Sequence, residues 1–131
     1  MDTKVSRKHG EFLYGDLTDK IIELAVKIHK KLGPGFIERI YEKALLYELK
    51  NTDIEFKNQS IIKVKYDNAE LGEQRVDFIL EDKVIIELKC AVELNEIHMA
   101  QLLSYLKTAN KKVGLILNFS KSKLEIKRVM D

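Results

Sequence analysis

Residues 74–89 have the sequence QRVDFILEDKVIIELK, and the pattern of apolar and charged residues in this segment is the most informative part of the chain. Two largely apolar runs, at about 74–80 and 84–89, flank the short connection 81–83, which is the spacing of a β-hairpin. A slip of one residue would mix apolar and charged side chains on each face, so the hydrophobic pattern predicts the register. The apolar pairs in this register are Leu80–Val84, Phe78–Ile86 and Val76–Leu88.

The same register brings charged side chains together on the opposite face of the hairpin. It opposes Asp77 to Glu87 and Arg75 to Lys89, with Cβ atoms about 4.5–5.5 Å apart in each pair. Two opposed carboxylates repel each other unless a cation lies between them. Mg²⁺ is typically bound by one or two carboxylates together with substrate phosphates. The pattern therefore indicates metal-assisted attack of water on a phosphodiester, with Lys89 stabilising the developing charge.

These residues also have a simpler interpretation. Carboxylate and lysine side chains on one strand face are often solvated surface, and Lys89 can form a surface salt bridge with Glu87 or Asp77. However, Glu87 follows three apolar residues in a strand that we predict to be central, and a buried carboxylate needs a partner. Both interpretations remain open from the residues alone.

Helical and strand patterns surround the hairpin. Apolar residues at steps of three and four predict a helix from Leu17, capped by Asp16 or Thr18 and stopped by the Gly-Pro-Gly sequence at 33–35. A second helix follows over residues 37–51. The remaining predicted elements are a strand over 62–66, turn residues over 67–72, a helix over 95–109, a strand over 113–119 and an edge strand over 124–127. Two N-terminal helices followed by βββαβ indicate an α/β (α+β) protein with a central mixed β-sheet flanked by helices.

Length and composition limit the protein class. The chain has 131 residues, and we expect a flexible N-terminal arm over residues 1–15 and one domain over residues 16–131. The single cysteine, Cys90, excludes an internal disulfide and a multi-cysteine metal site. No apolar run approaches the roughly 20 residues that span a bilayer, and no secretory signal follows Met1, so we expect a cytoplasmic protein without membrane contact. The net charge of +2 is too near neutral to indicate nucleic-acid binding by itself.

Three blocks of the chain carry a family resemblance. Asp77 followed by Glu87-Leu88-Lys89 resembles the PD-(D/E)XK signature of the restriction-endonuclease-like superfamily, although Val76 stands where the signature has proline. Residues 32–41, LGPGFIERIY, resemble the motif of its GxxExxY branch, and residues 97–107 resemble the IH…QLL.YLK segment of that branch. The resemblance covers about residues 17–129.

The resemblance implies a restriction-endonuclease-like core and a set of site residues. Asp77 and Glu87 would bind Mg²⁺ or Mn²⁺ together with the backbone carbonyl of Leu88, and Lys89 would be the catalytic lysine. The other implied residues are Glu38, which matches a helical acid that completes the metal site, and Gln101 and Tyr105, which resemble a substrate-positioning QxxxY element. Without the resemblance, these residues have simpler interpretations. Glu38 suits the first turn of a helix, where a carboxylate interacts favourably with the helix dipole. The polar line through His98, Gln101 and Tyr105 suits the solvent-facing surface of a helix.

We therefore expect a metal-dependent nuclease that cleaves nucleic acid, with DNA favoured over RNA. The alternative is a non-catalytic nucleic-acid- or protein-binding module that retains the fold, and a metal or small-molecule protein without hydrolytic activity is a more distant third interpretation. The resemblance also implies that a homodimer can form, because enzymes of this superfamily frequently dimerise to cut two strands. The residues that can supply a local basic patch are Lys63, Lys65, Arg75, Lys107, Lys111 and Lys112.

Overall fold

The computed structural model describes residues 12–131, so residues 1–11 of the predicted arm lie outside the described chain. Residues 12–14 form a turn that leads into the first helix. The elements that follow are α1 (Gly15–Leu32), α2 (Glu38–Lys50), β1 (Phe56–Tyr66), β2 (Ala69–Leu80), β3 (Val84–Lys89), α3 (Glu96–Ala109), β4 (Val113–Asn118) and β5 (Glu125–Met130). The predicted order of helices and strands is confirmed, including the last edge strand.

Within residues 12–131, the five strands form one sheet in the order β1-β2-β3-β4-β5. The β3–β4 pair is parallel, because α3 crosses over one face of the sheet between these two strands, and the other pairs are antiparallel. The result is a mixed sheet with helices, an α+β architecture consistent with the restriction-endonuclease-like core expected from the sequence.

Helices cover both faces of this sheet. On one face, α1 and α2 contribute Ile21 and Leu45 to a core that includes Phe78 of β2. On the other face, Leu102 of α3 packs in a second core with Ile85 of β3. Every residue of β4 is buried, and so is every residue of β3 except Lys89, as expected for strands covered on both sides. None of the helices between residues 12 and 131 combines the length and apolar composition needed to cross a membrane.

The predicted hairpin register is confirmed near the turn and wrong beyond it. The pairs Leu80–Val84, Ile79–Ile85 and Phe78–Ile86 form around the three-residue connection. The ladder then ends, so the predicted pairs Asp77–Glu87, Val76–Leu88 and Arg75–Lys89 are absent from it. The cause is that side chains take the hydrogen bonds of the backbone at this point, as described below.

Val76 lies on the opposite face from the one predicted. It packs in the core beneath α3, whereas Phe78 packs in the core beneath α1 and α2. The β1–β2 pairing also skips Gln59 and Asp77, and Gln59 has a φ of 55°, in the left-handed region. This local change of backbone direction interrupts the alternation of faces on which the prediction rested.

Other element boundaries also differ from the prediction. β1 and β2 begin at Phe56 and Ala69, so the turn between them is reduced to residues 67–68. The sequence pattern missed these extensions because polar residues there do not alternate with apolar ones. α1 begins at Gly15 after a left-handed Tyr14, without a side-chain cap, so the predicted caps Asp16 and Thr18 lie inside the helix.

Candidate active site

The backbone of Asp77 is bonded to side chains instead of to neighbouring strands. Its N–H donates to Oε2 of Glu87 at 2.7 Å, and its carbonyl accepts from Nδ2 of Asn58 at 2.9 Å. The side chain of Asp77 in turn accepts from the backbone N–H of Leu88, at 2.9 Å to Oδ2. β2 and β3 are therefore joined here by two carboxylates in place of ladder hydrogen bonds, and these carboxylates pair the backbone N–H groups of Asp77 and Leu88.

Burial and like charge act on both carboxylates. Glu87 is 6% exposed, and burial, followed by the charge of Asp77, raises its pKa from 4.5 to about 8. Burial is also the largest cause that raises the pKa of Asp77, and the charge of Glu42 adds to it. Strong perturbation of neighbouring carboxylates by burial and by each other is typical of functional sites.

Glu38 contributes a third carboxylate to this region from the first turn of α2. Its pKa is raised by burial and by the charge of Asp77, and Glu38 also helps to raise the pKa of Glu87. The start of α2 is held by Tyr41, whose hydroxyl donates to the carbonyl of Gly33 at 2.6 Å and accepts from the N–H of Phe36 at 3.2 Å. The Gly-Pro-Gly turn and the helix that follows it therefore place Glu38 beside the hairpin.

Lys89 reaches α3 and not the carboxylates. Its Nζ donates to Oε1 of Gln101 at 3.0 Å, and the ion pairs found among residues 12–131 do not include Lys89. The interpretation of Lys89 as half of a surface salt bridge is therefore wrong. Tyr105, one turn after Gln101, is 7% exposed, and burial and then the charge of Glu87 raise its pKa. In the predicted polar line on α3, Gln101 therefore contacts Lys89, and Tyr105 lies close enough to Glu87 and Asp77 for their charges to raise its pKa.

His98 has a structural role. The side chain of Asn95 accepts from the backbone N–H groups at the start of α3, and Nδ1 of His98 accepts from the N–H of Asn95 at 3.1 Å, which completes a capping box. This arrangement confirms Asn95 as the predicted cap. It also places the histidine at the helix terminus and away from a ligand role.

Three site residues were missed by the sequence analysis. Oε2 of Glu42 accepts from Nδ2 of Asn58 at 2.9 Å and from Nε2 of Gln59, and Gln59 also donates to Oδ1 of Asp77 at 3.2 Å. This network supports Asp77 from the side of α2 and β1. One signal was available, because Glu42 follows Glu38 by four residues and so lies on the same helix face.

The donor chemistry suits a hard divalent cation. Asp77, Glu87 and the carbonyl of Leu88 offer oxygen ligands only, as Mg²⁺ prefers. Burial and mutual repulsion raise the pKa values of Glu38, Asp77 and Glu87 although the charge of Lys89 lowers them, so a bound cation would favour the charged carboxylates. In the part of the chain that the structure describes, however, no three acidic, histidine or cysteine side chains converge as a preformed metal site.

A cavity of about 630 Å³ lies elsewhere, beside the start of α1, and is lined by residues that include Tyr14, Ile54 and Lys83. It contains none of the predicted site residues. Cavity volume alone therefore does not indicate the candidate site, whose carboxylates lie where the ladder between β2 and β3 ends.

A mixed sheet of this topology, with an aspartate and a glutamate–leucine–lysine sequence at its central strands, defines the class of restriction-endonuclease-like proteins. The model of the PD-(D/E)XK nuclease superfamily matches residues 15–129, and the chain belongs to this superfamily. The superfamily is one of nucleases, and its members generally use divalent metal ions, typically Mg²⁺.

Other comparisons bear on the fold alone. The crystal structure of SSO0001 matches with a TM-score of 0.58 at 17% sequence identity, over 90% of this chain and 59% of that chain. The chain therefore spans 59% of the length of that solved protein. Comparison with curated proteins finds no match.

Proposed function

We propose that the protein is a metal-dependent nuclease that hydrolyses phosphodiester bonds, with DNA favoured over RNA as the substrate. The observation that carries this proposal is the pair formed by Asp77 and the buried Glu87, with Lys89 two residues further along and held by Gln101. A buried carboxylate whose pKa is raised to about 8 is costly to retain unless a cation joins it.

We also propose that the chain belongs to the GxxExxY branch. The geometry supports a physical role for each residue of this motif. Gly35 has a φ of 112°, which favours glycine, and Tyr41 is fully buried with its hydroxyl bonded to the turn. Together they orient the first turn of α2, from which Glu38 acts on the carboxylates of the hairpin.

Asp77, Glu87 and the carbonyl of Leu88 would hold Mg²⁺ or Mn²⁺, with Glu38 completing the set from α2. When bound, such an ion supplies positive charge that polarises a phosphoryl oxygen and lowers the pKa of water. The backbone N–H groups of Asp77 and Leu88 orient the two carboxylates through their hydrogen bonds. The network of Glu42 and Gln59 holds Asp77 from its other side.

Lys89 would act on the charge that develops at the scissile phosphate. Its ammonium group donates to the neutral amide of Gln101 and so keeps donors available for a phosphate oxygen. Preorganised donors aimed at developing charge are usually a large part of the rate enhancement. Gln101 would fix the direction of this amine through its hydrogen bond, and Tyr105, whose pKa the charges of Glu87 and Asp77 raise, would help to position the substrate beside them.

Cleavage of labelled single- and double-stranded DNA and RNA in Mn²⁺ tests the proposal. We expect the wild type to cut at least one of the four substrates, and Glu87→Ala to lower the rate by at least about 100-fold, as expected for loss of a charged group in the site. Glu73→Ala, which removes an exposed carboxylate of β2, is the matched control and should cut like the wild type. Equal cleavage by wild type and Glu87→Ala would contradict the assignment of the site.

A non-catalytic binding module is the second candidate. It is favoured by the absence of three converging acidic, histidine or cysteine side chains between residues 12 and 131. Under this alternative, Lys89 bonds to Gln101 for structural reasons only. It predicts a wild type that binds nucleic acid but cuts none of the four substrates in Mg²⁺ or Mn²⁺.

A further inference from the structure

A basic cleft lies directly beside the carboxylates, between α2 and the strands β1 and β2. Its volume is about 330 Å³. Arg39 and Lys43 line it from α2, where a spacing of four residues puts them on one helix face, and Arg75 lines it from β2, two residues before Asp77. The polar residues that line the same cleft are Glu42, Asn58 and Gln59.

Among the residues that the structure describes, the three cations of this cleft form no ion pair with an acidic side chain. Arg39, Lys43 and Arg75 are exposed, and none of them takes part in the ion pairs found among residues 12–131. The one acidic side chain of the cleft, Glu42, accepts hydrogen bonds from Asn58 and Gln59. Clustered cations without partners repel one another, and an external anion relieves that repulsion.

Gln59 links the cleft to the carboxylates. Gln59 lines the cleft and donates to Asp77 at 3.2 Å, so a ligand in the cleft lies next to the metal-binding carboxylates. On α2, the acidic and the basic side chains form two adjacent rows. The charges of Glu38 and Glu42 interact with that of Asp77, and the next residue after each, Arg39 or Lys43, lines the cleft. A strand with one phosphate at the carboxylates can therefore place a neighbouring phosphate in the cleft.

A second basic groove exists and makes a useful comparison. Lys63 and Lys65 of β1 and Lys107 of α3 line a groove of about 530 Å³. Lys63 lies 3.8 Å from a carboxylate oxygen of Glu70, and none of the predicted site residues lines this groove. It also lacks arginine, whose planar guanidinium matches phosphate in a bidentate manner.

We infer that the cleft formed by Arg39, Lys43 and Arg75 binds a backbone phosphate of the nucleic-acid strand, next to the phosphodiester that is cut. This inference rests on the proposed function, which identifies the bound strand as the substrate. Contact by these side chains is independent of base sequence, because cations that neutralise phosphates carry no sequence information directly. The cleft therefore supplies affinity and the position of the strand.

Fluorescence anisotropy of labelled single- and double-stranded DNA in EDTA, over a series of salt concentrations, tests this cleft without cleavage. We expect Arg39→Gln/Arg75→Gln to weaken binding by at least about 10-fold at low salt. We also expect the plot of the logarithm of the association constant against the logarithm of the salt concentration to become less steep. Its negative slope should decrease in magnitude by about 0.7–0.9 for each phosphate that the variant no longer neutralises. Lys63→Gln/Lys107→Gln removes the same charge from the second groove and should bind like the wild type. Circular dichroism on both double variants checks that the exposed substitutions leave the fold intact.

Each outcome separates the cleft from the nuclease activity. Unchanged affinity and slope in Arg39→Gln/Arg75→Gln would overturn the cleft, even if the wild type cuts DNA. Equal losses of affinity in both double variants would also overturn the cleft, because bulk charge would then explain binding. A wild type that binds neither single- nor double-stranded DNA would overturn it as well. Selective loss in Arg39→Gln/Arg75→Gln supports the cleft even if no cleavage is found, in which case the nuclease proposal fails alone.

Discussion

At the scale of single residues, the site depends on carboxylates that replace a piece of β-ladder. Glu87 and Asp77 each accept a backbone N–H from the opposite strand, so neither carboxylate rotates freely. The same burial that orients Glu87 raises its pKa to about 8. Without a cation the charged form of Glu87 therefore destabilises the folded protein at neutral and higher pH. Functional sites often lower the stability of a protein in this way.

Glu87→Gln should stabilise the metal-free protein at high pH. Because folding raises the pKa of Glu87 from 4.5 to about 8, the native state binds this proton more tightly than the unfolded state. The contribution of Glu87 to the free energy of unfolding is therefore full below pH 4.5 and is lost as the pH rises to about 8. In EDTA near pH 8 we expect the variant to melt about 4 °C above the wild type, the shift that roughly 1 kcal/mol produces in a domain of this size.

Thermal melts at a series of pH values measure this difference. Glu73→Gln, at an exposed carboxylate on β2, is the control and should follow the wild type. The account of Glu87 fails if Glu87→Gln melts below the wild type near pH 8, since that result would mean that the charged form is stabilised by the fold.

Gln101 should act through Lys89 as a positioning residue. Gln101→Leu removes the acceptor of the 3.0 Å hydrogen bond but keeps the size of the side chain. We expect kcat to fall about 10-fold, because a misplaced donor stabilises developing charge less well, while KM and Tm stay unchanged. Ser104→Ala, on the same helix, serves as the comparison. A fall in Tm that accounts for the lost activity would show a purely structural role.

At the scale of elements, alternation of apolar residues predicted the hairpin well and stopped being informative at Asp77. The pairs from Leu80–Val84 to Phe78–Ile86 follow the pattern because both faces of these strands are buried. Beyond them the pattern fails, since side-chain hydrogen bonds replace the ladder and Gln59 takes a left-handed conformation. Neither event leaves a periodic trace in the sequence.

The candidate site was predictable to the extent that its residues lie in motifs. Glu38, Lys89 and Gln101 occupy positions that the family resemblance indicated, and the structure brings them to the same end of the hairpin. Glu42 and Gln59 were missed, because an acid on an amphipathic helix and an amide in a polar strand are ordinary surface residues until the fold joins them.

The contact between α3 and β4 gives a prediction about packing. A Cβ atom added at Gly114 would lie 2.8–3.0 Å from side-chain carbons of Leu102, which is 1% exposed. Gly114→Ala should therefore lower the free energy of unfolding by about 1–3 kcal/mol, the usual effect of overpacking a core. Chemical denaturation measures the difference.

A double-mutant cycle supplies the control for Gly114. In a Leu102→Ala background the added methyl group meets space instead of a side chain, so Gly114→Ala should be neutral or stabilising there. Equal destabilisation in both backgrounds would contradict the steric explanation and would point to the backbone of β4 instead.

At the scale of the whole molecule, charge is distributed unevenly although the net value is only +2. The structure divides the basic residues that the sequence analysis grouped as one patch. Arg75 lies in the cleft beside the carboxylates, Lys63, Lys65 and Lys107 line a separate groove, and Lys111 pairs with Asp82 at 2.8 Å. The sequence shows how many lysine and arginine residues the chain has, but only the fold shows which of their side chains lie close together.

The proposed function requires the hairpin to be a catalytic site and not only a binding site. Lys89→Ala separates these two roles when cleavage of the preferred substrate and binding of Mn²⁺ by calorimetry are measured on the same protein. We predict a loss of rate of at least about 100-fold with Mn²⁺ affinity close to that of the wild type, because in the proposed mechanism Lys89 acts on the phosphate and not on the metal. Lys57→Ala, at an exposed lysine of β1, should cut like the wild type. Cleavage by Lys89→Ala at the rate of the wild type would contradict the account.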